Sequence, residues 1–156
     1  MKLASAFALA SAIALSSTNA AAQSAKALVG SWTLVSAGET WGKDPKGKLI
    51  FGSSGHYTLV ITRTGLPKFA SNSRVKGTAD ENKSVVAGSV AHFGRYSVDE
   101  KDKAIVLNIE SSTFPNWVGT TQKRIFEIKG GQLRYTNPKP SAGGAPTARV
   151  VWNRAK

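Results

Sequence analysis

Three side chains of this sequence are types that could do chemistry together: His92, Glu110 and Arg124. A histidine can exchange a proton near neutral pH, a carboxylate can orient it or act as a second acid or base, and a guanidinium can stabilise a developing negative charge. Without the proton transfer, the same groups would form a polar recognition site. Other chemistries are poorly served. The chain has no cysteine and two histidines, His56 and His92, which removes thiolate nucleophiles and makes a zinc site improbable. Gly42-Lys43-Asp44-Pro45-Lys46-Gly47-Lys48-Leu49 imitates a phosphate loop, but Leu49 offers no hydroxyl to magnesium and the segment runs into a strand. Gly52-Ser53-Ser54-Gly55 has hairpin spacing and lacks the strand-to-helix setting of a nucleophile elbow. No cofactor and no metal is expected.

The elements that would position these residues are strands. Runs rich in β-branched and aromatic residues, bounded by Gly, Pro, Asn or Asp, span Leu28 to Ser36, Lys48 to Gly52, His56 to Thr62, Ala91 to Val98, Ala104 to Ser111, Thr121 to Lys129, Gln132 to Thr136 and Thr147 to Arg154. A single helix is expected over Thr78 to Val90, where Thr78 and Glu81 make a capping box and Val86 and Val90 would share a face. The links after strands two, four and six are short. Those after strands one, three, five and seven are long. In an up-and-down meander the odd links share one end, so the spacing predicts an all-β, eight-stranded antiparallel up-and-down barrel with one elaborate rim and one plain one. The short helix lies between strands three and four.

Charge fixes which side chains face inward. In Thr121 to Lys129, Lys123, Glu127 and Lys129 belong to solvent, which turns Gln122, Arg124, Phe126 and Ile128 inward. Outward Arg95 and Ser97 leave His92, Tyr96 and Val98 inside. Tyr57 and Arg63 share a phase on strand three, with Arg63 at the loop-rich rim. Strand five can be phased either way, and we place Asn108 and Glu110 inward beside Arg124. The polar groups then either line a ligand pocket or plug the barrel, for instance through a Glu110–Arg124 ion pair. The insert from Thr64 to Val90, with Phe69, Asn72 and Arg74, is either a lid or a fixed cover. Trp117 and Phe114, in the link after strand five, either close over a ligand or anchor their loop to the insert.

Residues 1 to 22 follow the order of a secretory signal: Lys2, an apolar stretch to Leu15, then Ala20-Ala21-Ala22. Cleavage after Ala22 would leave a 23–156 barrel domain, exported to the periplasm or beyond, with no stable membrane insertion. The formal net charge of +12 would fall to +11, since Lys2 is the one charged residue removed. Such a balance steers anionic partners. The basic residues form no extended block, so nucleic acid is not an expected partner.

From Leu28 to Arg154 the chain resembles the bacterial lipocalin-like domain proteins, small barrels distantly akin to lipocalins. The resemblance is carried by Leu28-Val29-Gly30-Ser31-Trp32, by Pro45 to Phe51, by Pro67 to Arg74, by Gly77-Thr78 through Glu81, by Phe93 to Asp99 and by Pro115 through Gln122 and Arg124. It implies that Gly30, Trp32 and Arg154 correspond to the Gly-x-Trp and terminal Arg of lipocalins, structural groups where first and last strands meet; Trp152 is read as core. The Thr-Asp-Tyr turn motif of lipocalins proper is absent, and Gly130-Gly131 stands in that region. The expected function is binding of one small, apolar molecule bearing an anionic or carbonyl group, by Tyr57, Arg63, Phe69, Asn72, Arg74, His92, Tyr96, Asn108, Glu110, Trp117, Gln122 and Arg124. The alternatives are a cofactor-independent isomerase, cyclase or hydrolase using His92, Glu110 and Arg124, and a structural or protein-interaction role in the envelope.

Overall fold

Eight strands close into one antiparallel barrel in chain order, each paired with the next and the last with the first. They are β1 (Gly30–Ser36), β2 (Lys46–Phe51), β3 (His56–Thr62), β4 (Ser89–Asp99), β5 (Ala104–Ser112), β6 (Thr121–Lys129), β7 (Gln132–Asn137) and β8 (Ala148–Arg154). A helical turn at residues 25–28 precedes β1, helix α1 (Ala79–Ala87) follows β3, and short 3-10 turns occupy Glu39–Trp41 and Pro115–Trp117. The computed structural model describes residues 25–138 and 148–156, so the expected signal segment 1–22 lies outside the described residues. Closure leaves no strand edge unpaired, which a cysteine-free chain held by burial and backbone pairing requires.

Alternation of side chains does the positioning. On β6, Arg124 is buried and Gln122, Phe126 and Ile128 are half-buried, while Lys123, Glu127 and Lys129 face solvent. Lys123 Nζ lies 2.8 Å from Asp99 and 2.7 Å from Asp102, so the charges that set the phase find partners outside the barrel. On β4, His92 and Gly94 are buried, with Tyr96 and Val98 continuing the same inward row.

The plain rim is fastened by the two ends of the chain. Trp32 pairs with Arg154 across the β1–β8 seam, and the Arg154 guanidinium sits 4.2 Å from the centre of the indole. The same guanidinium donates to the carbonyls of Val29 and Ala27, and the Trp32 indole N–H donates to the Leu28 carbonyl at 2.8 Å. Above this fastening lies packed core, while Val98, Phe126 and Ile128 line a hollow open at the plain rim. Trp32, Phe51, Tyr57, Ile105, Leu133 and Trp152 are all buried, and the Phe51 and Tyr96 rings meet edge to face at 4.7 Å.

Two expectations are corrected here. The helix stops at Ala87 with Gly88 as its cap; Val90 belongs to β4 and is buried, whereas Val86 is 77% exposed, so the two share no face. The capping box itself is present: the Glu81 N–H donates to Thr78 Oγ1 at 3.2 Å, and the Thr78 N–H donates to Glu81 Oε2 at 2.8 Å. The second correction concerns β5, where Ile105, Leu107 and Ile109 point inward and Asn108 and Glu110 point out. Asn108 accepts from the Thr121 hydroxyl at 2.8 Å, and Glu110 lies 3.6 Å from Arg95 on the outer surface. The interior selects the apolar set, because three large aliphatic side chains turned to water would forfeit their burial.

Candidate functional site

A cavity of about 60 Å³ opens at the loop-rich end of the barrel. Water needs roughly 10–15 Å³ of such space, so the cavity has room for several waters or a small organic group. Its wall is Leu59 and Ile61 from β3, Val90 and His92 from β4, Leu107 from β5, Arg124 from β6, Tyr135 and Asn137 from β7 and Val150 from β8. Its mouth is formed by Ala37, Thr40 and Trp41 in the first link and Trp117 in the link after β5. All of these sit toward the end where the long links gather.

Arg124 is the unusual member. It is 4% exposed, and none of the salt bridges among the described residues involves it. Its Nη1 donates to the Lys123 carbonyl at 3.0 Å and its Nη2 to Gln122 Oε1. A guanidinium has five N–H groups, so among the described residues two are bonded and three are left. Burial pulls its pKa below the ordinary range, with the Tyr135 and Tyr57 hydroxyls opposing that shift. The cavity lining contains no carboxylate among the described residues.

His92 is also 4% exposed, and its Nδ1 lies 2.9 Å from the Tyr57 hydroxyl oxygen. Burial, assisted by the Arg124 charge, pushes the imidazole down to about 4, so it is neutral at physiological pH. Burial also raises the Tyr57 and Tyr135 hydroxyls above the ordinary phenol range, which keeps both protonated. The His92 ring meets Trp117 edge to face at 5.5 Å, and Trp117 meets Phe114 in the same manner at 5.6 Å. Phe114 packs on Trp117 within the loop, and Trp117 stands at the cavity mouth against His92.

Of the expected site residues, Tyr57, His92, Trp117, Gln122 and Arg124 converge on this cavity, Tyr57 and Gln122 through their hydrogen bonds to His92 and Arg124. Tyr96 is elsewhere, donating to the Gly52 carbonyl at 3.0 Å near the plain rim. Asn108 and Glu110 are outside the barrel, which breaks up the His92, Glu110 and Arg124 constellation and the Glu110–Arg124 plug. Arg63, Phe69, Asn72 and Arg74 do not line the cavity. The Arg63 N–H donates to the Gly88 carbonyl at 2.7 Å, the Phe69 ring packs beside Gly77, and Asn72 and Arg74 are exposed. Glu81 ties the insert together, accepting from the Ala70 and Thr78 N–H groups at 2.8 Å each. Among the described lining residues, Val90 at the end of the insert is the one drawn from it.

Sequence reasoning missed Trp41, Thr40, Tyr135 and Asn137. The β7 row Leu133, Tyr135 and Asn137 was available from alternation, since Arg134 must face out. Trp41 carried no periodic signal, because it sits in a 3-10 turn between positive-φ glycines, Gly38 and Gly42.

The model of a lipocalin-like domain family matches residues 29–155. A 4′-hydroxy-3′-methoxypropiophenone carrier protein from Aspergillus oryzae is 29% identical over 102 residues, which are 60% of this chain and 92% of that protein.

Proposed function

We propose that this chain, which belongs to the lipocalin-like domain family, is an exported carrier that holds one small, largely apolar molecule by a carbonyl or anionic oxygen in the cavity above Arg124. The observation that carries the reading is Arg124 itself. A buried guanidinium without a carboxylate is unfavourable for folding alone, and replacing buried ions by apolar groups of similar volume is often neutral or stabilising. Its position in an aromatic-walled cavity makes sense if a ligand oxygen completes its hydrogen bonds. The relative named as a carrier for an aryl ketone supports the class, since that molecule combines an aromatic body with a carbonyl and a phenol. A ligand of that size exceeds the cavity as it stands, so entry requires the turns bearing Trp41 and Trp117 to part.

The decisive comparison is Arg124→Met against the unaltered protein in a thermal-shift screen of phenolic aryl ketones. Ligand at a hundredfold excess over Kd stabilises by about 2.7 kcal/mol, which the variant should lose. The ligand-free variant should be as stable as the parent or more so. If Arg124→Met binds undiminished, or if no member of the series stabilises the parent, the carrier reading through Arg124 is wrong. Export rests on the order of residues 1 to 22. Intact mass of the protein recovered from its native source should begin at Gln23; a mass including Met1 would overturn it.

A further inference from the structure

The side chains that hydrogen-bond to Arg124 and His92, or share their charge, sort by whether they give or accept a hydrogen bond. Arg124 gives only. Tyr57 from β3 and Tyr135 from β7 are kept protonated by burial, and each feels the Arg124 charge. That positive field draws the Tyr57 oxygen lone pairs and turns its proton away, toward the one neighbour able to take it, His92 Nδ1 at 2.9 Å. A neutral imidazole accepting at Nδ1 carries its own proton on Nε2, the nitrogen left for the cavity that the ring lines. Gln122 spends its carbonyl oxygen on Arg124. No acidic side chain lines the cavity among the described residues; Glu110 reaches Tyr57 only as a distant charge from the outer face, where Arg95 accompanies it. Donors therefore prevail around Arg124 and His92, while Thr40 and Asn137, which also line the cavity, can give or accept.

We propose that the cavity binds its ligand as an oxyanion, a phenolate or carboxylate, held between Arg124 and the Nε2–H of a His92 whose tautomer Tyr57 fixes. The inference rests on the carrier reading and narrows it. A neutral phenol would bring its own proton into a site already full of donors, whereas the anion removes that conflict and supplies the countercharge Arg124 lacks. The ligand gives its proton to water on entry. Tyr57 acts here as a positioning residue through His92.

The test uses the full chain with 4-nitrophenol, whose phenolate absorbs visibly, and 4-nitroanisole, which matches its shape without an ionisable proton. Titrated between pH 5 and 9, where His92 stays neutral, bound 4-nitrophenol should ionise at least one pH unit below the free dye, a tenfold change in its ionisation constant. At pH 8, 4-nitroanisole should bind at least tenfold more weakly. Arg124→Met should abolish the shift. Tyr57→Phe, which frees His92 to adopt either tautomer, should shrink it while leaving the fold intact by circular dichroism. Bound dye with an unshifted or raised pKa, or equal binding of the two dyes, overturns the oxyanion assignment and leaves the carrier reading standing. If neither dye binds while aryl ketones do, the assignment falls alone; if nothing binds, both fall.

Discussion

At the residue scale, His92 converts burial into a measurable pH dependence. In the unfolded chain an ordinary histidine takes up its proton near 6.5, whereas in the barrel His92 holds out to about 4. Between those values the unfolded state binds more protons than the folded one, so stability falls as the pH drops through the window and levels off below it. A depression of that size corresponds to about 3 kcal/mol. Urea unfolding at intervals from pH 7 to pH 4 should show that loss in the parent and not in His92→Gln, whose side chain does not titrate. Equal slopes for the two proteins would mean that His92 is not the buried neutral group described. His92 and Arg124 were legible from sequence because the charges flanking them on β4 and β6, Arg95, Lys123 and Glu127, leave only one acceptable phase. Glu110 was not legible by the same logic. Its strand offers a polar row and an apolar row, and treating the polar row as part of the rim ignored what Ile105, Leu107 and Ile109 would lose in water.

At the scale of elements, the pairing of β4 with β5 contains a feature that periodicity does not announce. Phe93 pairs with Ser111 but Gly94 pairs with Ile109, so Glu110 is an extra residue and the ladder bulges there. The bulge brings the backbone of β5 against Gly94. A Cβ at that position would sit 2.0 Å from the Asn108 carbonyl oxygen and 2.9 Å from the Glu110 nitrogen, both backbone atoms that cannot swing aside. Tyr57, paired across from Gly94, lies over the same inward row and reaches His92 from there. The glycine is therefore what lets the bulge form beside Tyr57. Gly94→Ala should destabilise the barrel by about 2–3 kcal/mol or more through overpacking against the main chain, read as a lower urea midpoint. It should also disturb ligand binding, since any shift of β5 moves Leu107 in the cavity wall. An unchanged midpoint would show that the bulge relaxes freely. The eight strands and their order were legible because loop lengths alternate; the bulge was not, because it depends on which two strands meet and not on either sequence alone.

For the whole molecule, the packed residues around Trp32 and the cavity beside Arg124 lie toward opposite ends of one barrel. The floor around Trp32 joins the chain's extremities: Arg154 stacks on Trp32, anchors the carbonyls of Ala27 and Val29, and passes the first strand to the last. Gly30 has φ +124, and a Cβ there would approach Arg154 Nη1 to 3.0 Å, so glycine at this position serves the approach of the guanidinium as well as the turn into β1. Arg63, Phe69, Asn72 and Arg74 do not line the cavity, which depends on side chains from six strands held in register by closure. Closure is cooperative, so damage at the floor lowers the stability of the whole barrel without redrawing the cavity in the molecules that remain folded. Trp32, fully buried, should cost about 3–5 kcal/mol when replaced by alanine. Ligand affinity of Trp32→Ala, measured by calorimetry well below its lowered melting temperature, should stay within about twofold of the parent once the unfolded fraction is counted, because a destabilised fold reduces binding only through that fraction. A variant that melts as expected yet binds tenfold more weakly when fully folded would show that floor and cavity are one packed unit, and the division between the two ends would have to be given up.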